Sequence, residues 1–283
     1  MKTIKIVGVP EHFNLPWHLA IENNEFSAEN IDLQWTNTPE GTGKMCQLLR
    51  EKQADIAIIL TEGIMKDIIA GNDCSIIQVY VKSPLIWGIH VAYDSKYHTI
   101  SDLENTKAAI SRLGSGSQLM AYVNAKNNNW NIDNLKFEIV DNIIGAEKSL
   151  TNGESDYFMW ETFMTKPLVD ARIFRKIGSC PTPWPCFVIA VRNEILENQP
   201  ETIQKIVSII NEKTKIFKQI LSIDQVISDK YQLKIEDVRS WLSITDWSQK
   251  NLNEVSFEKI QNQLFDLKII DKKSTFATII KSI

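Results

Sequence analysis

The sequence predicts an α/β protein of two lobes, each a mixed, mostly parallel sheet flanked by helices. Three observations predict it. Short apolar runs alternate with amphipathic segments through the first ninety residues, and a second such alternation starts near Ser101. After Pro183 the chain returns to one more apolar run and then turns helical. Alternation of this kind is the signature of βαβ units on a parallel sheet.

Taken in order, strands are expected at residues 3–9, 31–35, 56–60 and 76–81, with helices at 17–23, 44–52 and 63–70 between them. A further strand is expected at 87–92. Ser101-Asp102-Leu103 is a helix-capping pattern opening the second block. There, strands at 108–111, 136–140, 157–160 and 172–177 alternate with helices at 118–126, 145–152 and 162–170. Residues 187–192 read as the returning strand. Residues 201–221 form an amphipathic helix with Ile203, Ile206, Ile209 and Ile210 on one stripe, followed by helices at 235–242 and 256–267. No fixed-period repeat occurs. Lobe 1 is therefore discontinuous, residues 1–90 and 185–283, and lobe 2 is the insert 91–184. Two crossings, near Trp87 and near Pro183, make a two-segment hinge, and the cleft between lobes is the default ligand site.

Composition narrows the function. The chain has 283 residues, 43% of them hydrophobic, which suffices for a sizeable core; 11 glycines and 9 prolines exclude collagen-like and low-complexity structure. With 31 basic against 35 acidic residues, a net charge of −4 and no basic run longer than Lys272-Lys273, the charge balance argues against a nucleic-acid or anionic-membrane partner, which would favour a basic face. No apolar run approaches a membrane span, so direct membrane insertion is not expected. The first ten residues read as a strand with no export signal, which makes the protein cytoplasmic as written, or periplasmic if an export signal has been removed.

Cys46, Cys74, Cys180 and Cys186 form no CxxC, and His12, His18, His90 and His98 have no metal-ligand spacing, so neither a metal nor a cofactor is expected. Cys180 and Cys186 flank three prolines and read as two thiols beside a rigid crossing; a disulfide or redox switch is the alternative.

Several segments carry a family resemblance: Gly8-Val9-Pro10-Glu11-His12 with Leu15-Pro16-Trp17, Ala54-Asp55-Ile56-Ala57, Ser101-Asp102-Leu103-Glu104, the Ser111–Ser117 loop, and Val191-Arg192-Asn193-Glu194-Ile195 with Gln199-Pro200-Glu201. In order and spacing, over residues 3–220, they resemble type II periplasmic-binding proteins, nearest the branch that binds sulfonates, nitrate and the thiamine-pyrimidine precursor. The resemblance implies a two-lobed fold closing on a small anionic, zwitterionic or heteroaromatic metabolite. It also implies kinship with substrate-binding components of ABC transporters, with a membrane permease or another protein as partner. The chain lacks the dense cysteine cluster of the enzymes that make the thiamine pyrimidine, which argues against that catalysis.

In parallel sheets ligands sit beyond the carboxyl ends of the strands, and this rule names the candidate residues. The first loop offers Phe13 and Leu15. The second offers Gly41, Thr42 and Gly43, a backbone cradle; a P-loop is rejected because Thr38 and Met45 occupy its required glycine and hydroxyl places. Leu113-Gly114-Ser115-Gly116-Ser117-Gln118, with Ser111 before it, is the sharpest signal: backbone N–H groups, hydroxyls and a helix N-terminus suit a carboxylate, sulfonate or phosphate. An ordinary Ser-capped helix reads the same way. Leu119 stands where a dinucleotide fingerprint needs glycine.

Trp87, Trp160 and Trp184 flank crossings or strand ends and suit a flat ligand; Trp35, Trp130, Trp241 and Trp247 are assigned to packing or surface. Thr61-Glu62 and Glu161 follow strand ends. Either carboxylate could take an amine or ring N–H, or serve with the other as an acid/base pair. For Glu62 a carboxylate favoured by the helix dipole is the preferred reading. Two rival functions remain: an enzyme on the same scaffold using Glu161, Glu62 or His12, and a cytosolic ligand sensor read by another protein. No catalytic residue is assigned.

Overall fold

The computed structural model describes residues 1–283. Unit 1 comprises residues 1–84 and 184–283, and unit 2 comprises residues 85–183. The expected boundary at 90/91 falls inside a strand of unit 2.

In chain order, unit 1 opens with β1 (Lys2–Gly8), a 3₁₀ turn (His12–Asn14), α1 (Leu15–Glu22), α2 (Glu25–Ala28), β2 (Ile31–Asn37), α3 (Thr42–Arg50), β3 (Ile56–Leu60), α4 (Thr61–Ile69) and β4 (Cys74–Val81). Unit 2 holds β5 (Ile86–Ala92), β6 (Lys107–Ile110), α5 (Gly116–Asn127), β7 (Lys136–Ile139), α6 (Ile143–Thr151), β8 (Tyr157–Glu161), α7 (Lys166–Asp170) and β9 (Phe174–Pro181). Unit 1 then resumes with β10 (Phe187–Arg192), α8 (Asn193–Asn198), α9 (Pro200–Ile216), α10 (Ile223–Tyr231), α11 (Ile235–Ile244), α12 (Glu254–Asp266) and α13 (Phe276–Ile279). No helix is long and apolar enough to cross a membrane.

Each unit carries a five-stranded sheet, ordered β2-β1-β3-β10-β4 in unit 1 and β7-β6-β8-β5-β9 in unit 2. One strand runs against the rest in each: β10 is antiparallel to β3 and β4, and β5 to β8 and β9. The mixed, mostly parallel pattern follows from this single reversal. It also puts the amino end of the reversed strand beside the carboxyl ends of its neighbours.

Burial follows strand position. The edge strand β2 alternates, with Ile31 and Leu33 inward and Gln34 exposed. By contrast β10 is buried throughout, as a central strand covered on both faces must be. β4 is also wholly buried although it ends the sheet. The C-terminal segment explains this: Lys281 N–H donates to Ile76 O (3.0 Å), and Val79 N–H donates to Lys250 O (2.9 Å). An open edge that would otherwise invite strand pairing is thereby closed within the chain.

Several helix ends differ from expectation. The long helix stops at Ile216, where Phe217–Gln219 tighten into a 3₁₀ turn, not at Leu221. The helix expected over 162–170 forms only at Lys166–Asp170. The capping pattern at Ser101 is realised two residues earlier, as a box between Thr99 and Asp102 on a short 3₁₀ turn. In unit 2 the core gathers Ala109, Val140, Ala146, Leu150, Phe158 and Phe174. The α6 N-terminus closes tightly on it: the Asn142 side chain accepts from Ile144 N–H and Gly145 N–H. A Cβ on Gly145 would lie 1.9 Å from the Val140 carbonyl oxygen. Because that neighbour is backbone, Gly145→Ala should destabilise unit 2 by about 1–3 kcal/mol or more, measured by chemical denaturation against the parent chain.

Candidate functional site

Sheet topology selects one crevice in each unit. In unit 1 the chain leaves β1 for β2 on one side and places β3 on the other. In unit 2 it leaves β6 for β7 and places β8 on the opposite side. These are topological switch points, where helices diverge and leave room beyond the carboxyl ends of the strands.

At the unit 1 switch point stand the turn after β1 and the start of α4. Glu62 lies in the first turn of α4, 2% exposed. Its Oε2 accepts the Trp184 indole N–H at 2.8 Å, while its Oε1 is buried without a hydrogen-bond partner. Burial pushes the carboxyl up to about 7, against the opposing pull of its own backbone N–H and the Trp184 indole. The helix dipole favours a carboxylate there, but desolvation outweighs it. Thr61 beside it is fully buried and donates to Pro185 O at 2.6 Å, tying α4 to the segment that enters β10.

The neighbouring loops shape this rim. Gly41, at φ 76°, turns the chain into α3 through a conformation that favours glycine. Thr42 and Gly43 are already helical, so the expected cradle contracts to Gly41 and the first turn of α3. Lys44 sits in that turn and donates to Gln47 Oε1 at 3.1 Å. A Cβ on Gly63 would fall 2.3 Å from Thr42 Cγ2, so α3 and α4 approach closely at their amino ends. Phe13 is 4% exposed and packs against Phe187, ring centroids 5.2 Å apart. Leu15 has no exposed surface and packs inside. His12 is enclosed by Phe13, Trp241 and Tyr231, the Trp241 ring at 4.2 Å. Burial lowers its pKa to about 3, leaving a neutral ring at pH 7.

In unit 2 the Ser111–Ser117 loop is satisfied internally. Ser115 caps α5, its Oγ accepting from Gln118 N–H (3.3 Å). Ser117 Oγ accepts from Ser111 N–H (2.9 Å) and lies 3.0 Å from Ser115 Oγ. Gly114 N–H donates to Gln118 Oε1 at 2.6 Å, and Gly116 is the first residue of the helix. The ordinary capped-helix arrangement is thus present, and the hydroxyls and the Gly114 donor expected to meet an anion are engaged with the loop itself. Across the sheet, Trp87 and Glu161 are register partners on β5 and β8. Glu161 Oε2 accepts Met164 N–H at 2.7 Å. Trp160 stacks on Phe158 (5.3 Å) and meets Trp87 edge-on (6.1 Å). The Trp87 Nε1 and Thr162 Oγ1 atoms are buried without partners.

Glu62, Trp184, Gly41, Thr42, Thr61 and Phe13 therefore belong to unit 1, and Trp87, Trp160, Glu161 and the serine loop to unit 2. Sequence reasoning places Thr38 in the second strand-end loop without naming it as a site residue, although its Oγ1 is buried unpartnered just after β2, and it misses Thr162, the residue directly after β8. A hydroxyl immediately after a strand's carboxyl end is the signal that finds both. All four cysteines are free thiols, and burial pushes Cys180 up to about 11.

Known proteins fit this arrangement. A family described as "Ca3427-like PBP" matches residues 87–180. The solved Candida albicans CA3427 gene product, described as exhibiting the generic periplasmic binding protein structural fold, superposes with a TM-score of 0.90 at 24% identity, covering 99% of this chain and 96% of that one. This chain has the type II periplasmic-binding-protein fold. The same fold is shared with the alkanesulfonate-binding protein SsuA of Xanthomonas axonopodis pv. citri bound to MOPS, at TM-score 0.84 and 12% identity over 100% of this chain and 99% of that one. The ligand-binding component of an ABC-type import system from Staphylococcus aureus, with zinc bound, follows at TM-score 0.79 and 11% identity over 100% and 97%. No curated protein matches the sequence. The resemblance read from the motifs agrees with these neighbours in fold.

Proposed function

We propose that this chain is a small-molecule binding protein, related in role to ABC-transporter substrate-binding components, whose two units close on one zwitterionic, anionic or heteroaromatic metabolite. The observation that carries the reading is Glu62 with Trp184: a buried carboxylate with one oxygen held by an indole and the other unpartnered, at a switch point of the sheet. A buried polar atom left unpaired costs about 1–3 kcal/mol, and a ligand group that pairs it recovers that cost. The aromatic edge of unit 2, Trp87 on Trp160, supports a flat ligand. A transporter subunit is the partner this reading implies.

The test is a thermal-shift and native mass-spectrometry screen of metabolites, with small-angle scattering on each hit. The expected result is stabilisation by a small set of zwitterions or heterocycles together with a smaller radius of gyration. Absence of stabilisation by every such metabolite overturns the proposal. The pKa of Glu62, about 7, also suits a general acid or base, which favours an enzyme as the second reading; a hit recovered chemically altered after incubation would select it.

A further inference from the structure

We infer that the group received at Glu62 is a cation, an ammonium or amidinium, and that its binding releases a proton from the protein. The inference rests on the small-molecule-binding reading above and names the ligand chemistry of its unit 1 rim.

The argument starts from charge. Glu62 is 98% buried, since only 2% of it is exposed, and its Oε1 has no partner. The elements packed against α4 are α3, β3, β10, α12 and α13. None brings a counter-charge. β3 and α13 contain no charged residue. Arg192 of β10 is held by Asp55 and Glu194. On α3, Arg50 pairs with Asp67 of α4 itself, and neither Lys44 of α3 nor Lys66 of α4 contributes to the environment that raises the Glu62 carboxyl. The charges of α12, Glu254, Glu258, Lys259 and Asp266, are solvent-exposed. Trp184 supplies a neutral donor to one oxygen only.

A carboxyl in this position holds its proton to about pH 7 because ionisation would leave an uncompensated buried charge. Two ligand chemistries could answer it. A neutral acceptor would bind the protonated form and leave the proton in place. A cation would pair with the ionised form, and the O–H bond breaks as the ammonium or amidinium arrives, its proton passing to solvent. The second supplies both the hydrogen bond and the missing charge, and a charge-assisted bond is about twice as strong as a neutral one. The engaged serine loop of unit 2 points the same way, since its hydroxyls and the Gly114 donor are already bonded.

Benzamidine and benzoate form a suitable pair of probes, one ring with opposite charges. Affinities are read by titration calorimetry on the full chain at pH 6 and pH 8, in two buffers of different ionisation enthalpy. Benzamidine is expected to bind about tenfold more tightly at pH 8 than at pH 6, to release close to one proton at pH 6, and to lose that pH dependence and at least tenfold in affinity in Glu62→Gln. Equal benzamidine affinity at the two pH values, or no proton release, overturns the inference. Preferential binding of benzoate that Glu62→Gln leaves unchanged overturns it too, while leaving the small-molecule reading standing. Failure of both probes also overturns it, and the broader metabolite screen then decides the small-molecule reading separately.

Discussion

Asp55→Ala is expected to cost about 3–5 kcal/mol of stability, the usual consequence of removing one partner from a buried ion pair. Asp55 and Arg192 are 12% and 10% exposed at their side chains, with Nη2 to Oδ1 at 2.8 Å. The pair joins distant chain segments. Asp55 Oδ2 also accepts Lys5 N–H at 2.9 Å, and Arg192 N–H donates to Asp55 O at 3.1 Å. One carboxylate therefore fastens β1, the entry to β3 and the end of β10. Its loss strands the guanidinium, which keeps only the half-exposed Glu194 (2.9 Å), and frees the part-buried Lys5 N–H. The control is Asp55→Leu with Arg192→Met. Desolvating two charges offsets most of their attraction, so the double variant should recover most of what Asp55→Ala loses. Urea unfolding followed by tryptophan fluorescence checks both. An Asp55→Ala loss below about 1 kcal/mol would place the pair among ordinary surface bridges.

Neither partner of that bridge is visible as a pair in the sequence, and the contrast with the strands is instructive. A strand is expected close to each of the ten that form, and the clearest are those buried on both faces, which must be almost wholly apolar, as 56–60 and 187–191 are. Helix ends are less legible. α10 has Ile223 and Ile227 buried at i, i+4 spacing, yet it starts from Ser222 at φ 58° with no side-chain cap, so no start signal marks it. The candidate site divides similarly. Glu62 and Glu161 follow from one rule about strand ends, which needs only the local pattern. That Trp184 holds Glu62 comes from a contact 122 positions away. That the serine loop is internally bonded depends on how Gln118 folds back onto Gly114 N–H. Tertiary geometry decides these, and residue spacing carries no trace of it.

Glu62→Gln is expected to raise stability at pH 8 by up to about 3 kcal/mol, against the usual direction for a buried substitution. The sign follows from linkage. The folded carboxyl titrates at about 7, above its ordinary value of 4.5. Its contribution to stability is therefore complete below pH 4.5 and is lost as pH rises to 7, because the unfolded chain ionises first. A separation of that size corresponds to about 3 kcal/mol at about 1.4 kcal/mol per unit. Glutamine keeps the neutral shape and an acceptor for the Trp184 N–H, and it has no proton to lose. Glu11, also pushed up to about 7 by burial, retains its own slope in the same range. His12 and His90, lowered by burial to about 3 and about 4, act in the opposite direction: their neutral forms support the fold above pH 6.5, and that support is lost as pH falls. The difference between variant and parent isolates Glu62 from all three. Denaturation at pH 4.5, 6, 7 and 8 should show that difference growing from near zero to its full value by pH 8. A difference that does not change with pH would mean that Glu62 is ionised throughout, and that its burial is compensated within the fold. If it grows as stated, a carboxylate that weakens the free protein at neutral pH is kept where a switch point of the sheet would present it to a ligand, the arrangement expected when stability is given up for function.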